Sequence, residues 1–136
     1  MNDIEMLTAE VAAIAPVHRS GRVAGVMRGV LDVAGLGPFA VLGDRVRIGR
    51  RGAGDCAGEV IGLARDAVTV LPEGGIDGIA IGDAVVLTGA ADIAPHDGWI
   101  GRIVDPFGRP LDGRPLLRGP RPRPMRAPAP PAAARR

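Results

Sequence analysis

Residues 52–57, Gly52-Ala53-Gly54-Asp55-Cys56-Ala57, match the loose pattern G-x-G-x-x-A. In dinucleotide-binding folds such glycines let backbone amides at a helix start approach a pyrophosphate. That chemistry needs a strand before the pattern and a helix after it. The residues that follow, Gly58-Glu59-Val60-Ile61, are β-like, so an inter-strand loop is predicted in its place. Glu59 and Asp105 suggest an acid/base pair, but no nucleophile or pocket motif accompanies them. His18 and His96 stand apart among polar and turn residues and read as surface histidines, not metal ligands. Cys56 is the lone cysteine. It excludes an internal disulfide or a CxxC site, and no Lys or His stands nearby to activate its thiolate. No catalytic, cofactor or metal residue is therefore assigned.

The elements that would position any site follow from composition. The 136 residues are 46% hydrophobic but only 2% aromatic, with Phe39, Trp99 and Phe107 and no Tyr. Small aliphatic side chains must fill the core, and the many valines favour pleated strands. The 21 glycines suit short strands and frequent turns. All 17 basic residues are Arg. Seven of them (114, 118, 121, 123, 126, 135 and 136) lie beyond residue 113, where no acid occurs. The first 113 residues are accordingly mildly acidic, and the sequence pI of about 9.9 belongs to the tail. No basic binding face is implied for the folded part. The start, Met1-Asn2-Asp3-Ile4-Glu5, lacks the basic region of a signal peptide. No apolar run approaches the roughly 20 residues of a membrane span, so no membrane insertion and a cytoplasmic location are expected.

Three segments emerge. Residues 2–15 predict a short helix capped by Asn2 or Asp3 and ended by Pro16. Ile4, Leu7, Val11 and Ile14 form one apolar stripe. The stripe packs either on the protein's own barrel or, as a docking helix spanning 1–16, on a partner; so short a helix is marginal without something to lie against. Residues 20–105 read as β, with strands over 22–28, 30–34, 45–48, 58–64, 67–71, 84–88 and 99–104. Turns fall at Gly29, Leu42-Gly43-Asp44, Arg65-Asp66 and Ile81-Gly82-Asp83. Their shortness favours an all-β fold, a small closed six-stranded barrel within 20–113, because closure removes exposed edges. Residues 114–136 are a Pro/Arg-rich linker, polyproline-like and unable to bury a core. Ahead of it, Gly101 to Gly113 reads as a strand entering two tight turns. There Pro106 and Pro110 fix φ, and Gly108 and Gly113 supply positive φ.

Taken together, Gly21-Arg22-Val23, Gly29 to Gly35, Gly43-Asp44, Gly58-Glu59-Val60-Ile61-Gly62, Leu71-Pro72, Gly78 to Gly82 and Gly101 to Gly113 resemble one family. They are similar to the N-terminal β-barrel domain of flagellar and type III secretion export ATPases, which are related to the α and β subunits of rotary ATP synthases. The Glu-Val-Ile-Gly strand followed by Leu71-Pro72 leans toward the secretion branch. Met125 to Pro131 with Arg135-Arg136 is similar to the family's connector into its ATPase domain. The resemblance implies a barrel that helps to set a homo-hexamer and an N-terminal helix that meets a regulatory stalk-like protein. The family uses ATP and Mg²⁺ at a P-loop, G-x-x-x-x-G-K-[ST], whose Lys and hydroxyl hold the phosphates and the metal. This sequence contains no lysine. No family nucleotide residue is carried over, and no ATP turnover is expected of the chain by itself. A different class of reading is a small-barrel nucleic-acid-binding protein gripping phosphate with its basic tail. The acidic body and the scarcity of aromatics for base stacking count against it.

Overall fold

The computed structural model describes residues 4, 7, 8, 11, 17–129 and 131–134. Two compact units divide the chain, one over Ala15–Ala90 and one that takes in Ala91–Arg136 together with Met1–Ile14.

The first unit is a barrel of six antiparallel strands: β1 (Arg19–Met27), β2 (Val30–Ala34), β3 (Asp44–Arg50), β4 (Ala53–Leu63), β5 (Val68–Pro72) and β6 (Ala84–Ala90). The sheet closes in the order β1-β2-β5-β4-β3-β6. Alternation dictates the inside. In β5, Val68, Val70 and Pro72 are buried while Thr69 and Leu71 face outward, the period of two that a pleated strand imposes. Leu31, Val33, Leu36, Val46, Ile48, Val60 and Val85 complete an aliphatic core with Val23 and Cys56. No aromatic ring enters it.

The turns are set by single residues. Met27 pairs with Val30, which leaves Arg28-Gly29 as a two-residue hairpin with φ of 52° and 84°. Two positive φ values mark the I′ geometry that matches strand twist. Ala64 N–H donates to Ala67 C=O at 2.9 Å across Arg65-Asp66, the expected tight connection between β4 and β5. Two Gly-Asp turns share one design. Ahead of β3, the Asp44 carboxylate accepts from Val41 N–H at 2.9 Å; ahead of β6, Asp83 accepts from Ala80 N–H at 2.7 Å. The preceding glycines, Gly43 and Gly82, sit at φ 88° and 89°, where other residues are strained. Each aspartate thereby satisfies a turn amide that closure would otherwise orphan.

Two expectations are corrected. Trp99–Val104 is not a strand: β6 completes the barrel, Asp97–Trp99 is a 3₁₀ turn, and Val104 makes only an isolated bridge to Pro110. The run is apolar enough for a strand, but Pro106 and Gly108 bend the chain immediately after it. Of residues 52–57, all but Gly52 are strand and not a loop. Arg50 pairs with Ala53, so Arg51-Gly52 is a two-residue turn and β4 runs through Gly54, Asp55 and Cys56. The expected helix over 2–15 lies largely outside the described residues. Ile4, Leu7, Thr8 and Val11 are the ones described there, each with helical backbone.

The second unit is held by short-range geometry. Here β7 (Asp92–Ile93) pairs with β8 (Arg123–Pro124), and Met125 N–H donates to Ala91 C=O at 2.9 Å. Gly119 is buried, and its N–H reaches Ala94 C=O at 2.9 Å. The Pro/Arg-rich segment, for the most part exposed, is thus tied back at Gly119 and at β8.

Closure brings backbones very close at Gly21. A Cβ there would lie 2.3 Å from Ala34 O and 2.9 Å from Leu36 Cγ. Gly21→Ala is expected to destabilise the barrel by about 2–3 kcal/mol, the cost of overpacking a tight site. Gly54→Ala, with nothing within 4 Å of its Cβ, should be neutral or slightly stabilising. Chemical denaturation followed by far-UV circular dichroism checks both.

Candidate functional site

Each chemistry-bearing residue singled out in the sequence has its own surroundings in the fold. The G-x-G-x-x-A pattern has no helix after it, since β4 extends to Leu63; no helix N-terminus faces a pyrophosphate site there. The Cys56 thiol is buried. Burial pushes its pKa up, with Arg50 pulling the other way, so the reactive thiolate is disfavoured. Glu59 is half-buried on β4. The Asp105 carboxylate is spent on the backbone, accepting from Phe107 N–H and Arg109 N–H, each at 2.8 Å. His96 Nδ1 accepts from Gly98 N–H at 2.8 Å and caps the 3₁₀ turn; His18 is exposed. Among the described residues no group of three or more His, Cys, Asp or Glu side chains can hold a metal ion.

Of the apolar stripe, Ile4, Leu7 and Val11 are 72%, 65% and 66% exposed. Ile14 lies outside the described residues. These three aliphatic side chains are exposed at helical spacing.

The most densely organised polar cluster is the Gly101–Gly113 segment, and its key side chains escaped the sequence reading. Gly108 N–H closes a turn on Asp105 C=O at 3.0 Å, and Leu111 N–H returns to Ile103 C=O at 3.0 Å. Outside these turns sits Arg102. Its Nε donates to Asp112 Oδ2 at 3.0 Å and its NH2 to Oδ1 at 2.6 Å, the two-pronged fit of guanidinium to carboxylate. The same guanidinium donates to the carbonyls of Arg114 at 2.6 Å and Pro115 at 2.8 Å. One arginine thus fixes the path by which the chain leaves the double turn. The Arg102 hydrogen bond, helped by Arg114 N–H, lowers the Asp112 pKa to about 2. The signal that could have found the pair is the repeated Gly-Arg before each turn and the Asp-Gly after the second, with opposite charges bracketing two prolines.

Further along, Trp99 Nε1 donates to Leu117 C=O at 2.7 Å, and Arg118 grips both Asp92 carboxylate oxygens at 2.7 Å. On the barrel, Arg45 pairs with Glu73 and Arg51 with Asp83. Each of these ion pairs joins residues distant in sequence.

No family model matches the chain. Among curated proteins it is 36% identical over 131 residues to the flagellum-specific ATP synthase of Caulobacter vibrioides, covering 95% of this chain and 30% of that protein. It is 37% identical over 125 residues to the flagellum-specific ATP synthase of Rhizobium meliloti, covering 91% and 26%. It is 36% identical over 118 residues to ATP synthase subunit alpha 2 of Cereibacter sphaeroides, covering 84% and 23%. The chain therefore spans less than a third of the length of these relatives.

The Asp112 carboxylate yields a test. Its folded pKa is depressed, so its contribution to the double turn is complete above an unfolded value near 3.9 and is lost as pH falls through about 2. Carbon-detected NMR titration should place the Asp112 midpoint at about 2 and, in Arg102→Met, move it up toward 3.8. An unmoved midpoint would mean that the guanidinium does not hold the carboxylate.

Proposed function

Because the chain belongs with the flagellum-specific ATP synthases as their N-terminal β-barrel domain, we propose that it is a non-catalytic assembly module of a type III protein-export ATPase. The observation that carries this reading is the 95% coverage of the chain by a relative of that name, together with a barrel closed in six strands. In this role the barrel takes its place in a homo-hexameric ring, and the stripe of Ile4, Leu7, Val11 and Ile14 docks on a regulatory stalk-like protein of the export apparatus. The exposure of the first three side chains supports a partner-facing stripe. ATP and Mg²⁺ belong to the ATPase domain of the full-length family members. In this reading the work takes place in the cytoplasm, as the resemblance to the export ATPases implies.

The barrel's contribution is rigidity. Its core is aliphatic and its strand edges are all paired, so it offers neighbours a surface that does not rearrange. Nucleic-acid binding fits less well. Phe39 is stacked beneath the Arg19 guanidinium at 4.0 Å, and the Arg118 head group is engaged with Asp92.

Purified 136-residue protein is expected to show no saturable ATP turnover above buffer, measured by phosphate release; measurable turnover would overturn the non-catalytic assignment. Leu7→Asp should weaken binding to the stalk-like regulator by about tenfold or more, the effect of charging a buried contact, while leaving the barrel's melting temperature unchanged. An equal loss of stability would make the stripe part of the protein's own core.

A further inference from the structure

Within the second unit, residues 115–125 form a strap fastened at separate points. Its root is clamped where Arg102 takes the carbonyls of Arg114 and Pro115. Beyond the root, Leu117 C=O accepts from the Trp99 indole N–H at 2.7 Å, and Arg118 grips both Asp92 carboxylate oxygens. Gly119 N–H reaches Ala94 C=O. After it, β8 lies along β7 until Met125 N–H meets Ala91 C=O. Gly119 is the tightest of these points. A Cβ there would collide with Pro95 C=O, coming 2.8 Å from its carbon and 3.2 Å from Ala94 O. No side chain fits at that position without lifting the strap.

The fastening is shallow. Between 115 and 125 Gly119 is buried, Leu116 and Arg118 are half-buried, and the other residues are exposed. The ion pair is itself open to solvent, with side-chain exposures of 33% for Arg118 and 38% for Asp92, and is therefore weakened by salt. Segments held by few buried apolar contacts and by exposed hydrogen bonds open locally, at a free energy well below that of global unfolding. Pro115, Pro120, Pro122 and Pro124 keep the segment extended when it is off the surface.

We propose that residues 116–125 are a releasable strap, a latch that opens as one piece between the Arg102 clamp and Met125, with Gly119 and the Arg118–Asp92 pair as its fastenings. Closed, the strap folds the chain back to Ala91. Open, the same residues span up to about 30 Å as a polyproline-like spacer and lengthen the reach of the residues after Met125. The device rests on contacts within this unit and is independent of the export-ATPase assignment.

The sequence supplies its own reporter. It has no lysine, and Arg109, Arg114, Arg121 and Arg123 each precede proline. Trypsin cuts poorly before proline, whose ring and missing N–H obstruct the bond. Arg118–Gly119 is thus the trypsin-sensitive bond inside the strap, and it enters the protease only when the strap is off, so its cleavage follows the open population. The full chain is digested beside a synthetic peptide of residues 112–125, which carries the bond without β7 or Trp99, and fragments are assigned by mass spectrometry. In the protein the bond should be cut about tenfold or more slowly than in the peptide; equal rates would overturn the proposal. Gly119→Ala should speed cleavage about tenfold or more and red-shift the emission of Trp99, the single tryptophan, while Arg102–Ile103 stays uncut. Unchanged cleavage in that variant would overturn the proposal. So would cutting at Arg102–Ile103 in step with Arg118–Gly119, since the whole unit would then be unfolding. High salt should speed cleavage of the unaltered protein relative to the peptide and leave Asp92→Asn unmoved; a ratio indifferent to salt would overturn the ion pair as a fastening. The peptide and salt comparisons are read on unaltered protein, so they decide the question even if a variant fails to fold.

Discussion

Six short strands wrapped around valine leave little room between backbones, and that close approach is the constraint on which the barrel depends. Large rings would hold the strands apart and fill space. Here the fully buried side chains are Val, Leu and Ile, so the strands must come together until the backbone itself is the limit. Gly21 meets Ala34 O, and a Cβ on Gly58 would lie 3.0 Å from Ile48 Cδ1, Leu71 O and Val70 Cγ1 at once. Small core residues and strand glycines are two sides of one packing solution. Curvature completes it. Register shifts interrupt the β1–β2, β3–β4, β3–β6 and β4–β5 ladders, and such bulges let short strands turn corners that a regular ladder could not.

Much of the barrel was legible in the sequence because its signals are local. Valine-rich alternation gave β5, and a two-residue connection gave the β4–β5 hairpin. The Gly-Asp turns before β3 and β6 are visible as dipeptides, and the structure adds that their carboxylates cap the turn amides. The extension of β4 back to Ala53 was obscured by Gly52 and Gly54, which look like loop residues until pairing with β3 claims them. The Trp99–Val104 run misled for the opposite reason. Its composition is strand-like, yet no neighbouring strand offers a ladder, and composition cannot reveal a missing partner.

The polar organisation of the second unit was less legible, since it depends on contacts between residues that carry no motif. Arg102 meets Asp112 across two turns, and Arg118 meets Asp92 from much farther along the chain. Backbone geometry was readable from Pro106, Gly108 and Pro110; which carboxylate serves which donor was not. The tail shows the same limit. Its prolines predict an extended path, and most of it is exposed, but the burial of Gly119 against Ala94 and Pro95 rests on one glycine fitting where a side chain cannot.

The seam of the barrel joins its first strand to its last, Arg19 opposite Leu87 and Arg22 opposite Ala84. During synthesis β1 leaves the ribosome long before the strand that must complete it. Hairpins such as β1–β2 and β3–β4 can form early from neighbouring sequence, but no sheet edge is sealed until β6 has emerged and inserted between β3 and β1. The nascent barrel therefore spends its assembly as an open ribbon with two unpaired margins. Until then the margins at β1 and β3 are the places where a wrong strand could pair.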